Sequence, residues 1–446
     1  MTAVWRQFES AIDNSIGRRN LGYVLLGLIV VYFLWFPNDT SQSNYARTVY
    51  IFGFFYAIMA SSWALLAGIS GQFSFAHMAF MGIGAYSAGL LARDGVTIAV
   101  LGIAVPGASI PTLVAISFGS LVAGLAGLLI GWLLLRLRSS YLALFTIAFS
   151  ELFRIVALTE YDYTGGSNGL SLRRLVVMDD VDQARVVEYY IMFGLLVASL
   201  AFMYWISNSR IGMFLRAMRE DEDAASALGV NIVLYKILIF VITSMIVGLA
   251  GAVFYSNVGS ERIIPEQLEI LQMSLIIAYA VVGGMESLLG AAAGAFLSQF
   301  LLESLRRIPL PVTIEFDGGP RGFLLRLVLA LIIVTLGFMA SGVKSFKAYR
   351  PYIRLGAVVL ALIVFFTGMN MTGEPSEWEP GFWRFAVFGI IIVLTLRYMR
   401  NGLLYPILQW FGGRDSALRE TVSIRDDGDD ETETPAGLKT ETEGAD

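Results

Sequence analysis

Long apolar runs alternate with short polar connections from residue 21 almost to residue 400. Many approach the ~20 residues a helix needs to cross a bilayer. The pattern predicts membrane helices at roughly 21–36, 46–68, 74–92, 111–135, 140–158, 188–207, 235–257, 268–284, 288–308, 324–342, 351–371 and 383–399. One connection breaks the pattern. The stretch from Ser209 to Tyr235 reads SRIGMFLRAMREDEDAASALGVNIVLY and sets four acids and three arginines between two apolar runs. At about 100° per residue, Phe214, Ala217, Met218, Ala225 and Leu228 share one side, with Asp221 in their midst. Arg216, Arg219, Asp223 and Ser226 face the other way. Gly229 follows the last apolar residue, where a left-handed helix end favours a residue without a Cβ. The prediction is one short amphipathic helix at the membrane surface, tied to a span at each end. On composition alone, an ordinary solvated loop helix is the preferred reading.

Composition narrows the class. Hydrophobic residues make up 56% of the chain and charged residues 15%, against about 25% charged in soluble domains. Mean hydropathy is +0.68. The fold class that follows is all-α, a polytopic transmembrane helical bundle of about 10–12 segments. With no cysteine and one histidine, the chain has no thiolate or multi-histidine metal site. The first apolar run has no small-residue cleavage site, so it reads as a span rather than a removable signal.

Residues 1–20 form a polar lead containing Arg6, Arg18 and Arg19. With that lead in the cytoplasm, Arg136, Arg138, Arg210, Arg216, Arg219, Lys344, Lys347, Arg350, Arg397 and Arg400 all fall inside, and the acidic run Glu374–Glu379 falls outside. Arg173, Arg174, Arg306 and Arg307 fall outside and count against the scheme. The balance puts both termini in the cytoplasm of a multi-pass plasma-membrane protein, provided that 74–92 crosses. Residues 412–446 are acidic and nearly free of large apolar side chains, which predicts a disordered tail.

Several stretches are candidates for chemistry. In 68–92 the glycines, among them Gly82, permit close helix contact or a break lining a cavity. Gln72, Ser74 and His77 place polar groups beside them. A packing role fits the glycines as well as a translocation path does, and His77 reads more readily as a packing residue than as a proton carrier. Glu151 and Arg154 are spaced i,i+3 and can pair, as structural partners or as solute contacts. Thr164, Gly165, Gly166, Asn168 and Gly169 make a turn whose amides could meet an anion or an extracellular partner. It lacks the lysine of a nucleotide-binding loop. Gly283 and Gly284 open a second small-residue stretch, GGMESLLGAAAG.

Four blocks in order, GISGQFSFAHMAFMGIGAYSAGLL, YLALFTIAFSELFRIV with TGGSNGLS, SRIGMFLRAMREDEDAASALGVNIVLY, and VVGGMESLLGAAAGAF, resemble the branched-chain amino-acid ABC importer permeases of the LivM type. The resemblance spans roughly residues 45–305 and implies a permease core at 21–308. It implies that the charged surface segment is the coupling helix that seats on an ATPase subunit, carried by Arg216, Ala217, Arg219, Glu220, Asp221, Ala224, Ala225, Leu228 and Gly229. It further implies two cytoplasmic ATPases that use ATP and Mg, a second, LivH-type permease, and an extracellular binding protein that delivers a small neutral amino acid. RNGLLYPIL at 400–408 is similar to the family's C-terminal ending, and within the C-terminal helices at 309–411 the stretch from about 309 to 382 departs from the pattern by two extra spans.

With no phosphate-binding loop and no catalytic constellation, the chain reads as a transport subunit rather than an enzyme, holding no cofactor and no nucleic acid. The alternatives are a urea, amide or sugar permease of the same importer class and an ion-coupled secondary transporter. Glu151, Arg154 and His77 are thin material for the latter.

Overall fold

A computed structural model describes residues 18–39, 43–98, 103–134, 139–257 and 262–306, with Phe388, Gly389 and Ile392. The spans expected at 324–342 and 351–371, nearly all of 383–399, and the acidic tail lie outside the described residues. The chain divides into two units, residues 1–41 with 404–446, and residues 42–403. In the first unit α1 (Arg18–Trp35) continues into a 3-10 turn at Phe36–Asn38.

The second unit is a helical bundle. Its elements are α2 (Asn44–Trp63), α3 (His77–Asp94), α4 (Thr112–Leu134), α5 (Ser139–Thr159), α6 (Val181–Ser207), α7 (Arg210–Glu220), α8 (Glu222–Ala227), α9 (Ile232–Asn257), α10 (Ile270–Gly283) and α11 (Leu288–Arg306). Local chemistry sets several starts. The Ser43 hydroxyl accepts the Ala46 amide at 3.2 Å and caps α2. The Asp180 carboxylate accepts the Asp182 amide at 2.9 Å, so α6 begins seven residues before the apolar run that predicted it at 188. Between α3 and α4 the chain forms a short antiparallel hairpin, β1 (Val96–Ile98) and β2 (Ile103–Val105), which the period of the spans did not announce.

Five described helices are long and apolar enough to cross a membrane, namely Asn44–Ile69, Thr112–Leu133, Tyr141–Thr159, Val181–Ser207 and Ile232–Asn257. The two spans expected at 268–284 and 288–308 form a pair, α10 and α11, bent by 118° at a short break. Fourteen residues of α10 rise only about 21 Å, short of the ~30 Å hydrocarbon thickness. The pair therefore counts as at most one broken span by length and composition.

Contacts sort the helix ends into two groups. At one end stand Ile69–Ala76, the α6–α9 connection and the α10–α11 turn, joined through Arg219, Gly68 and Glu286. At the other end, Asn44 bonds Asp182 and Arg93 donates to the Tyr163 carbonyl at 3.2 Å. There too, Leu170 and Ile263 exchange backbone bonds of 3.1 Å, and Leu175 N–H reaches the Ser256 carbonyl at 2.8 Å. α3 starts in the first group and ends in the second, so it runs the length of the bundle, although it is not among the five helices long and apolar enough to cross a membrane.

Two kinds of packing fill the interior. α2, α6 and α11 meet through aromatic rings, with Phe54 centred 5.1 Å from Tyr189 and 5.5 Å from Phe296. Phe55 stacks on Phe254 of α9 at 4.4 Å. α3, α4 and α9 instead meet through glycine. A Cβ placed on Gly84 would lie 2.5 Å from the Gly248 Cα, and one on Gly119 would collide with the Gly84 carbonyl. Without a hydrophobic difference between lipid and protein, such close backbone contact is what holds helices together.

Candidate functional site

The surface segment is built as two helices, not one. After Ser207 the chain turns through Asn208, and the Ser209 hydroxyl caps α7 by accepting the Ile211 amide at 3.2 Å. At Asp221 the backbone leaves the helix (φ −155°, ψ 111°), and the carboxylate accepts the amides of Asp223 at 2.9 Å and Ala224 at 3.0 Å. An aspartate that can cap competes with its own helix, and here the cap wins. This corrects the expected apolar face, because a wheel drawn through Asp221 loses register there. Gly212, Leu215, Met218 and Ala225 are the buried residues, while Ala217 and Asp221 are exposed and Leu228 is 86% exposed. Leu215, absent from the predicted face, is fully buried.

The expected glycine end is present. Gly229 has φ 85°, the Val230 amide reaches the Ala225 carbonyl at 3.1 Å, and the Gly229 amide reaches Ser226 at 2.9 Å. These are the two bonds of a Schellman motif.

Side chains then fasten this segment to the bundle. Arg216 Nη2 donates to both the carbonyl and the hydroxyl of Ser207, each at 2.9 Å, closing the elbow with α6. Gly212 sits so close to that elbow that a Cβ would lie 2.5 Å from the Ser207 carbonyl carbon. On the other side Lys236 Nζ meets Glu222 Oε1 at 2.6 Å, and the Phe214 and Tyr235 rings lie 5.1 Å apart, joining α7 and α8 to α9. Arg219 reaches deepest. Its Nη1 donates to the Gly68 carbonyl at 2.5 Å and its Nη2 to Glu286 at 2.6 Å.

Gly68 belongs to Ala64–Ile69, which continues α2 as a π-helix, a geometry concentrated at functional sites. A Cβ on Gly68 would run into the Met285 carbonyl of the α10–α11 turn. One arginine therefore touches α7, the end of α2 and the bent pair together. Exposed ion pairs singly contribute little. Here the fork of one guanidinium spans two acceptors on separate elements, which fixes position more than it adds stability. Arg216 and Arg219 engage the bundle through these bonds yet stay exposed, and beside them Ala217, Glu220, Asp223, Ala224 and Leu228 are exposed as well. That is an apolar tip with acidic flanks, suited to a partner with an apolar groove and basic edges.

Residues 45–336 match the family described as the branched-chain amino acid transport system / permease component. The chain belongs to that family. Two permeases of known function share its sequence pattern. The high-affinity branched-chain amino acid transport system permease proteins LivM of Salmonella typhimurium and of Escherichia coli are each 27% identical to it over 321 residues, 66% of this chain and 71% of theirs. No solved structure matches the chain.

The remaining candidate residues of this permease fall in separate places. Gln72 and Ser74, in the non-helical stretch before α3, and His77, the first residue of α3, are all buried at the same end as Arg219. The Ser74 carbonyl accepts Trp63 Nε1 at 2.9 Å and Gln72 Nε2 donates to Ser70 at 3.3 Å. The His77 ring is fully buried beside the Ser62 backbone, and neither nitrogen has a hydrogen bond among the described residues. Glu151 and Arg154 do pair, with Arg154 Nε 3.0 Å from both carboxylate oxygens. They stand on the half-exposed side of α5, apart from the His77 group. Gly82 is a packing point, where a Cβ would press on Phe153 and Leu268 at 2.9 Å. Gly283 crosses Gly290 and Gly294, and Gly284 ends α10.

In the Thr164–Gly169 turn most amides are engaged internally. Gly165 N–H bonds Tyr161 at 2.9 Å, Gly166 N–H bonds Thr164 Oγ1 at 3.2 Å, and the Asn168 and Gly169 amides each bond within the turn at 3.1 Å. That leaves little for an anion; the turn instead joins α5 to the strand-like contact of Leu170 with Ile263. Sequence reasoning marked Gly68 as a close-packing glycine but not as a partner of Arg219, and it missed Ser207, Lys236 and Glu286. The only signal for Glu286 was an acid in an otherwise glycine-rich, uncharged run.

Proposed function

We propose that this chain is the membrane-spanning subunit of an ABC importer for branched-chain or related small neutral amino acids, with ATP and Mg used by separate ATPase subunits. The end of the bundle that carries α7 and α8 faces the cytoplasm in this reading, and both termini lie on that side. The observation that carries it is the fastened surface segment. A solvated loop helix has no need of rigid ties to α2, α6, α9 and the α10–α11 turn, whereas a segment that receives displacement from a partner does. ATPase subunits closing on ATP would push on Leu228 and its acidic flanks. The ties would pass that displacement to α6 and α9, shifting a two-state cavity from outward- to inward-facing. A second, LivH-type permease completes the pathway, and an extracellular binding protein supplies the solute.

The test is purification of the tagged chain from its own membrane in mild detergent, with mass spectrometry of what accompanies it. Two ATPases and a second permease in near-equal amounts are the expected result. Recovery of the chain alone from membranes that still transport would overturn the reading. Replacing Asp221 with Arg should abolish uptake while the chain stays in the membrane. Replacing it with Asn keeps a capping side chain and separates loss of the cap from loss of the charge.

A further inference from the structure

Two of the crossing helices show broad exposed faces, and those faces differ in kind. α4 is exposed along Leu121, Leu125, Leu128, Leu129 and Trp132, and it carries no charged residue. α5 is the least buried of the five, with 22% of its apolar stretch covered against 39% or more in the others. Yet α5 carries the pair Glu151 and Arg154. Glu151 is the eleventh of the nineteen residues of Tyr141–Thr159, ~1.5 Å along the axis from the middle of the span. Its side chain is 42% exposed and that of Arg154 20%, while Leu142, Thr146, Ser150 and Ala157 turn inward.

Lipid tails are a poor neighbour for such a pair. Charged groups within a span are costly in hydrocarbon and face either a bundle interior or a water-filled space. Long basic side chains near a helix end escape by stretching to the interface; a glutamate at the middle of a span is too short to do so. Nor is Glu151 enclosed by its own bundle, since so much of its side chain is uncovered. The charges also continue outward. Arg154 lies one turn further along α5, and Glu266 and Glu269, where the chain enters α10, act on its guanidinium. These four groups set three carboxylates against one guanidinium, from mid-depth to the end of the bundle opposite Arg219. We infer that this face of α5 lines the water-filled passage through which solute crosses, and that its negative balance favours cationic over anionic groups there. The inference rests on the importer reading for the solute and places one wall of its passage. A zwitterion without net charge passes such a wall, whereas an acidic amino acid is held back.

The chain has no cysteine of its own, so single cysteines can be placed in it without background. The experiment uses the purified complex in nanodiscs, without nucleotide, and two water-soluble methanethiosulfonate reagents, one bearing a trimethylammonium and one a sulfonate. Ala148→Cys and Ile155→Cys lie within about 60° of Glu151 on the helix, one turn to either side, and both positions are exposed. Leu125→Cys, at an exposed position midway along α4, is the control. Mass spectrometry of this subunit should find both α5 cysteines modified and the α4 cysteine unmodified. After correction for each reagent's rate with free cysteine, the cationic reagent should be favoured on α5. Glu151→Gln should cut that preference about threefold or more, the scale of one unit charge acting across ~6 Å of water. Glu266→Gln, which leaves the ion pair on α5 whole, should lower it by less.

If Ala148→Cys and Ile155→Cys are as inert as Leu125→Cys, the aqueous face is overturned, and equal modification of all three overturns it too. An unchanged preference in both glutamine variants overturns the charge bias. The cysteine variants keep Glu151 and Arg154 in place, so their readout holds even where Glu151→Gln does not fold. Failure of the importer reading shows differently, as a chain that purifies without ATPases or a second permease.

Discussion

The α3–α4–α9 contact and the α2–α6–α11 contact solve the same problem by opposite means. In the first, three glycines bring backbones together until no side chain separates them. In the second, large rings keep the helices apart and fill the gap. The difference lies in what each can absorb. A ring packed among other rings can tilt, and its loss leaves a space that neighbours partly close. A backbone pressed on a backbone has nothing that can move except the whole helix. The glycine group should therefore be the rigid part of the permease and the aromatic group the part that tolerates rearrangement.

The most damaging way to break this comparison is Gly84→Leu. It should prevent the bundle from forming, seen as loss of a monodisperse peak in detergent; a normal peak would show that the helices have room to part. Next is Phe54→Ala, expected to cost about 2–3 kcal/mol. That is below the 3–5 typical of aqueous cores, because lipid also shelters the ring when the helices separate. A thermal-stability assay should show a clear fall with the protein still folded. Gly68→Ala is sharper still in what it reports. Its Cβ would collide with the Met285 backbone carbonyl and displace Glu286 with it, so uptake should fall severalfold and the melting temperature should fall as well. The smallest effect belongs to Gly229→Ala, which meets no neighbour and only forces φ 85° on a residue with a Cβ. It should cost about 1 kcal/mol, confined to faster amide exchange across α8.

The spans were legible because their signal is length and apolarity, and both survive folding. Nine of the predicted apolar runs became α1–α6 and α9–α11, with ends moved where a cap such as Asp180 recruited polar residues into a helix. The break at Asp221 was not legible. The same residue reads as a helical acid or as a cap, and only the competition between the two decides. Arg219 was recognised as part of a charged segment. Its partners were not, since Gly68 and Glu286 lie 151 and 67 residues away in the chain and a backbone carbonyl leaves no trace in composition. The 118° bend was hidden for a related reason, because two apolar runs with a glycine turn between them look alike whether they form two spans or one broken one.

The glycine contact also constrains how this protein can change over time. Where two large residues meet, growth on one side can be offset by shrinkage on the other. At Gly84 and Gly119 the first atoms met are backbone and nothing smaller exists to offset with, while Gly248 first meets the Ala123 methyl. No second substitution within that trio can rescue the first, and a route to a different packing there has to pass through a shift of a whole helix.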